Sequence, residues 1–537
     1  MLPQKTPLSP SPVSRAEAVC QKTVAAPGRK RSLAHHRRGG KSRERIAHPP
    51  LQPQNGADAR DFDDAVHAEK DSDPANPGGW KLIVAIADVA HYVHASAPLD
   101  REAYKRGNSV YFPDRVVPML PEALSNELCS LKPHVDRACL AAHLVVDDKG
   151  ELLRFHFTRA LMRSAARLTY EQIQKAADGA PDETTTPLMD KVVTPLYQAY
   201  AVLLGARKKR GTLDLEVQEN YIRIGADGKV AHIGPRERLD AHKLIEEFMI
   251  LANVAAASAL QEKGMAGLYR VHDVPSPEKL ESLRAFLKGF DINLPVGKQL
   301  RSIDLARVLE KFIGSDHAPL INEVMLRNQA QAIYSADNIG HFGLALARYA
   351  HFTSPIRRYA DLVVHRALIR LYKLGEDGLS DPERAKLNET GEHISKTERR
   401  AIEAERESND RYTSLYLSGQ VGGIFEARIS GVTRSGLFVR LKETGADGLL
   451  PMSSLPSDYY MHDEKHHRLT GKSSGRVFQL AGKLRVRLVE ADGVRGSLRF
   501  MLAEDKREDG APQRKLSKPG GRQHQHRRRR PHGRKKH

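Results

Sequence analysis

The segment ADARDFDDAV (57–66) sets four carboxylates, Asp58, Asp61, Asp63 and Asp64, within seven residues. Like charges this close repel, and the cost persists unless a cation neutralises them. On an extended chain Asp61 and Asp63 point one way and Asp64 the other, whereas a bend brings all three together. Hard oxygen donors of this kind suit Mg²⁺ or Mn²⁺ rather than zinc. Two such ions roughly 3.5–4 Å apart can orient water and polarise a phosphate. The same residues can equally form a solvated acidic turn. Their spacing excludes an EF-hand, which needs Gly at loop position six and Glu at position twelve.

Outward from this cluster the chain alternates strand and helix patterns. KLIVAIADVAHYV (81–93) reads as a buried strand, and GELLRFHFTRALM (150–162) as a strand with one wet face. Helical periodicity governs 187–206 and 238–264; in the latter Leu244, Phe248, Leu251 and Ala255 recur at three- and four-residue steps, and Gly264 suits a C-cap. Ser354-Pro355 predicts a helix start, with Ser as cap and Pro in the first turn. Arg357, Asp361 and His365 would then share one stripe. That stripe is either a surface Arg357–Asp361 ion pair or a phosphate grip at a helix N-terminus. Residues 383–416 read as a charged helix with solvated faces. Beyond Gly419, short β-rich runs punctuated by Gly (422–441, 447–455, 482–492, 496–504) suit a small closed barrel of the OB type.

The 537 residues allow two to four domains. The net charge of +19 sits at the ends: residues 1–50 hold eleven basic and two acidic side chains, and 511–537 hold eleven basic and none acidic. The interior is close to neutral, which excludes a uniformly basic globule and directs the tails at polyanions, nucleic acid first. No run of about 18 apolar residues predicts a membrane span. The start, MLPQKTPLSPSPVSRAEAVC, lacks the apolar stretch of a secretory signal. Cys20, Cys129 and Cys139 supply neither a disulfide framework nor a CxxC zinc pattern. A cytoplasmic chain without membrane contact is expected, with residues 1–54 and 506–537 disordered.

Taken in order, ADARDFDDAV, VAIADVAHYV (84–93), SVYFPDRVVPMLPEALSNELCSL (109–131), LTYEQI (168–173), LIEEFMILAN (244–253) and YAHFTSPIRRYADLVVHRAL (349–368) closely resemble the ribonuclease II/ribonuclease R family of exoribonucleases. The resemblance implies an α/β (α+β mixed) catalytic domain with a deep channel over 55–416, an all-β OB-fold RNA-binding domain over 417–505 and disordered basic tails. It also implies metal-dependent, processive 3′-to-5′ hydrolysis of single-stranded RNA to nucleoside 5′-monophosphates, in RNA decay and processing, by a monomer. At matching positions Asp61, Asp63 and Asp64 would hold Mg²⁺ (Mn²⁺ possible), and Arg357 would stabilise charge on the scissile phosphate. Tyr111 and Tyr170 would stack on terminal bases, and Glu246 would lie near the RNA end. Without the resemblance, the tyrosines read as core packing and Glu246 as an exposed helix carboxylate.

The chain also departs from the family. Six residues before Asp61 the family has Asp, and here stands Asn55, which keeps an acceptor oxygen but loses the charge. Pro49, Pro50 and Pro53 in HPPLQPQNG (48–56) oppose the central strand expected there, and the resemblance does not extend to the family's usual pair of cold-shock-type domains, which the chain is expected to lack. Residues 1–56 are therefore expected to be foreign to the family, the product of a shifted frame or a mis-assigned start. A non-catalytic RNA-binding protein with a degenerate site is the competing function. Other signals are weaker. TGKSSG (470–475) fails as a phosphate loop because His466 stands where Gly is needed. His462, His466 and His467 read as loop residues without a metal, and Arg207–Arg210 as a solvated helix end. The C-terminal Arg run could hold ribosome or ribosomal RNA as readily as substrate.

Overall fold

The computed structural model describes residues 44–46, 51–54, 61–215, 220–295, 300–315, 317–464 and 466–503. Most of both expected disordered tails lies outside the described residues.

A seven-stranded sheet organises the first part of the chain. Its strands are β1 (Glu44–Ile46), β2 (Leu51–Gln54), β3 (Asp64–Lys70), β4 (Trp80–Ala87), then, after the short hairpin of β5 (Val110–Tyr111) and β6 (Val116–Val117), β7 (Asp136–Val146), β8 (Leu152–Arg163) and β9 (Ala166–Thr169). The order is β1-β8-β7-β4-β3-β2-β9, antiparallel from β8 to β2 with a parallel strand on each edge. The run WKLIVAIA alternates at first and then is buried on both faces, as suits the centre of a covered sheet. It stops at Ala87, earlier than its apolar pattern suggests, because Asp88 begins a 3₁₀ turn.

The prolines do not prevent a strand before the acidic cluster. Leu51–Gln54 pairs with Ala166–Thr169 in parallel, and with β3 through Leu51 and Val66 alone. Pro53 lies past that single pairing, where its missing N–H removes no bond to β3.

Three helices matter for the site: α1 (Tyr170–Ala177), α2 (Thr194–Arg210) and α3 (Asp240–Glu262). Helix α3 lies on β4 and β7, burying Leu244, Phe248 and Ala255 as its periodicity predicts. It is long and apolar enough to cross a membrane, but most of that apolar window is buried inside the body. Helix α4 (Tyr359–Tyr372) begins later than the Ser354-Pro355 signal predicts, and the 32-residue α5 (Leu387–Ser418) leads into the barrel.

Ile424–Thr433, Gly436–Leu441, Asp447–Pro451, Ser497–Leu502 and Lys483–Asp492 close into that barrel around Leu437, Val439, Leu450, Val486, Leu488 and Phe500. One position shows how tightly it closes. Gly436 has φ +146°, and a Cβ there would stand 2.3 Å from the Leu450 carbonyl oxygen. Gly436→Ala should therefore lower stability by about 1–3 kcal/mol, seen as an earlier unfolding midpoint. Within the barrel region TGKSSG wraps its own acid: Ser473 N–H (3.0 Å) and Ser474 N–H (2.8 Å) both donate to Asp458.

Candidate active site

The acidic stretch is fixed by main-chain contacts before it becomes a strand. Phe62 N–H donates to Ser130 Oγ (3.1 Å), and Leu131 N–H donates to the Phe62 carbonyl (3.0 Å). Ala87 N–H then donates to the Asp63 carbonyl (2.8 Å), seating Asp63 at the end of the β3–β4 pair. The Asp63 side chain is buried; its Oδ1 accepts from Ile356 N–H (2.9 Å) and its Oδ2 lies 3.9 Å from Arg357 Nε. Burial pushes the Asp63 carboxyl well above the usual range, with Arg357 opposing. Asp64 is pushed up to about 7 for the same reason, against the same arginine. Both consecutive carboxylates thus sense the same arginine, which makes its contact with Asp63. Asp61 is half-buried and within electrostatic reach of Asp63.

Arg357 does not stand on a helix. Residues 354–358 form a turn, so the predicted stripe of Arg357, Asp361 and His365 does not exist. Asp361 pairs instead with Arg358, through Nε (2.8 Å) and Nη2 (2.8 Å). Ser354 does not cap with its hydroxyl; its N–H donates to Asp361 Oδ1 (2.7 Å). The reason is local: Asp361, in the first turn of α4, supplies the acceptor for the orphan amide. Arg357 is thereby left to face Asp63 with a partly exposed guanidinium.

The two tyrosines differ. Tyr111 is exposed, and its N–H donates to Glu405 Oε1 on α5 (2.7 Å). Desolvation pushes its hydroxyl well above the ordinary range, with Arg357 opposing and Asp61 and Asp63 adding to the rise. Tyr170 opens α1 behind a capping box, Thr169 Oγ1 accepting from Gln172 N–H (3.2 Å) and Thr169 N–H donating to Gln172 Oε1 (2.9 Å). Its ring is buried and stacks on His242 at 4.0 Å, with Asp64 and Arg357 nearby in charge. Glu246 is not a bare helix carboxylate: Arg207 Nη1 (3.2 Å) and Arg238 Nη2 both donate to it. Arg207 itself is buried, bonded to Glu247 at 2.6 Å and drawn inward by the acids of α3, whereas Lys208 and Lys209 are exposed, so the solvated-end reading holds for those two lysines and fails at Arg207.

Asn55 and Asp58 lie outside the described residues. Among the described residues no three Asp, Glu, His or Cys side chains gather as a ready metal cluster, and the histidines at 462–467 make none. What converges is the Asp63–Asp64 pair. Asp64 Oδ2 is buried without a hydrogen-bond partner among the described residues. A buried carboxylate and a half-buried neighbour, with one arginine 3.9 Å from the former and an orphaned oxygen on the latter, fit a hard divalent cation. Sequence reasoning missed Ser130 and His242 and gave Asp361 the wrong arginine; Gln172 three residues after Thr169 was a readable capping signal.

Comparison with known proteins agrees with this arrangement. The RNB domain family matches residues 55–373 and the S1 RNA binding domain matches 419–501. The chain is 43% identical to ribonuclease R of Escherichia coli over 468 residues, 85% of this chain and 57% of that protein. It is 40% identical to ribonuclease R of Aquifex aeolicus over 447 residues, 83% of this chain and 63% of that one. The chain thus spans somewhat over half the length of these relatives. The structure of Mycoplasma genitalium RNase R in complex with ribose methylated single-stranded RNA superimposes with a TM-score of 0.82 at 29% identity, covering 90% of this chain and 75% of that one. With the RNB match extending over more than half its length, the chain belongs to the RNB family, as its resemblance to ribonucleases II and R implies.

Proposed function

We propose that the chain is a 3′-to-5′ exoribonuclease that hydrolyses single-stranded RNA to nucleoside 5′-monophosphates. One observation carries the reading: Asp63, buried and raised by its burial, is held between Ile356 N–H and the Arg357 guanidinium. Asp61, Asp63 and Asp64 would hold Mg²⁺ or Mn²⁺, which when bound supplies an activated water and charge compensation at phosphate. Arg357 carries the chain's own part. Its planar, permanently charged fork can take two phosphate oxygens and meets the charge that develops as the phosphodiester breaks. Its partial exposure leaves donors for that task.

Tyr111 offers an exposed ring beside this pair, and an aromatic face stacks on any base for about 1–3 kcal/mol without reading sequence. The buried Tyr170, already stacked on His242, suits a supporting wall better than a free platform. Glu246, gripped by two arginines, would act as a fixed acceptor near the RNA end. The barrel, like other S1 domains, would guide the strand in. The same reading makes the protein a cytoplasmic monomer whose basic ends add salt-sensitive affinity for RNA, ribosomal RNA included.

A 5′-labelled single-stranded oligoribonucleotide tests this directly. With Mg²⁺ it should shorten progressively from its 3′ end, yield 5′-monophosphates and stop on addition of EDTA. RNA that is retarded on a gel but uncut at every Mg²⁺ and Mn²⁺ concentration would refute the reading.

A further inference from the structure

The turn that carries Arg357 has an anchor that the reaction outlined above does not use. Asp361 is completely buried in the first turn of α4. Its Oδ1 accepts from Ser354 N–H (2.7 Å) and Arg358 Nη2 (2.8 Å), and its Oδ2 from Arg358 Nε (2.8 Å). Three charge-assisted bonds therefore pin both ends of 354–358 to one carboxylate. Between those ends, Ile356 N–H reaches Asp63 and the Arg357 side chain faces it.

The outer side of the turn is fixed as well. Ser109 N–H donates to the Arg357 carbonyl (3.0 Å), and Tyr359 N–H donates to the Gly107 carbonyl (2.9 Å). That strap runs on, two residues later, to Tyr111. With the main chain of residue 357 held on both flanks, the direction of its guanidinium follows from the shape of the turn. The grip on Arg358 has a second effect. Two adjacent arginines would otherwise compete for Asp63, and the fork on Asp361 takes one of them away from the site.

We propose that Asp361 is a positioning residue for hydrolysis: by clamping Ser354 and Arg358 it aims Arg357 at Asp63 and keeps Arg358 out. This rests on the nuclease reading given above. A 1 Å displacement of a group that meets a developing charge is enough to cost about a hundredfold in rate, so the effect should fall on turnover rather than on RNA affinity.

The test is a double-mutant cycle of Asp361→Asn with Arg357→Ala, reading kcat and KM on a single-stranded oligoribonucleotide with Mg²⁺, together with amide hydrogen exchange. Asp361→Asn should lower kcat about 10- to 100-fold with KM moved less than about threefold. In the Arg357→Ala background the same change should alter kcat less than about twofold. An equal loss in both backgrounds, as a merely structural role predicts, overturns the proposal, and so does a loss confined to KM. If Asp361→Asn does not fold, Arg358→Lys replaces it with the same expectations, since it keeps the charge but not the fork. Exchange of the Ile356 amide should quicken about tenfold or more in either variant; unchanged exchange also overturns the proposal. A wild-type chain without any turnover refutes the nuclease reading instead, and the exchange measurement then decides the anchor by itself.

Discussion

Asp63→Asn should end RNA shortening, reducing turnover by about a thousandfold or more, equivalent to ~4 kcal/mol of barrier. The substitution keeps the shape of the side chain and an oxygen that can still accept from Ile356 N–H, so the 354–358 turn stays docked. What it removes is the negative charge facing Arg357 and available to a divalent cation. The variant should still retard RNA on a gel, because the exposed Tyr111 and the barrel are untouched. A second readout has the opposite sign. Burial holds the Asp63 carboxyl well above its usual range, so the charged form is penalised in the folded chain. Asparagine carries no such penalty, and without metal it should leave the melting temperature equal or higher. Loss of activity with gain of stability in EDTA separates a site residue from a structural one. A thermally weakened Asp63→Asn protein, or one that still trims RNA at the wild-type rate, would contradict the assignment.

This opposition of local signal and tertiary outcome also explains what the sequence could reveal. The apolar run of β4, the periodicity of α3 and the Gly-punctuated barrel are patterns within short windows; the helix and the barrel appear where those patterns predict, and the strand appears too but ends at Ala87 instead of running on to Val93. The turn at 354–358 was misread as helix because Ser-Pro is a sound start signal by local rules alone. Whether it caps or bends depends on Asp361, which takes the Ser354 amide, and on Gly107 and Ser109, about 250 residues earlier. The strand at Leu51–Gln54 was rejected on its prolines, yet β9 pairs with all four of its residues while β3 pairs only at Leu51. Arg207 looked like part of a solvated basic run because Glu246 and Glu247, its partners, stand some 40 residues away on α3. Apart from Asp361, only seven residues from Ser354, the missing information in each case is the identity of a distant neighbour.

The largest stability effect should come from another such neighbour set. Arg366, in the middle of α4, is fully buried, and its guanidinium bonds Asp100 Oδ1 (2.7 Å), the Val93 carbonyl (2.7 Å) and Glu383 Oε1 (2.7 Å). Tyr359 OH completes the knot by donating to Asp100 Oδ1 (2.9 Å). The residues come from four separate stretches of chain, so one arginine closes contacts among the bend that follows the 3₁₀ turn after β4, the helix from Pro98, α4 and the helix from Asp381. Arg366→Ala removes the cation and strands a buried aspartate, which should cost about 3–5 kcal/mol, seen as a lower denaturant midpoint. The loss arises from the unpaired acid more than from the absent bonds. Adding Asp100→Leu to Arg366→Met should accordingly recover a large part of the stability, since an apolar pair of similar volume has no charge to desolvate. A double variant as unstable as Arg366→Ala alone would show instead that the geometry of the hydrogen bonds, rather than the buried charge, holds these four segments together.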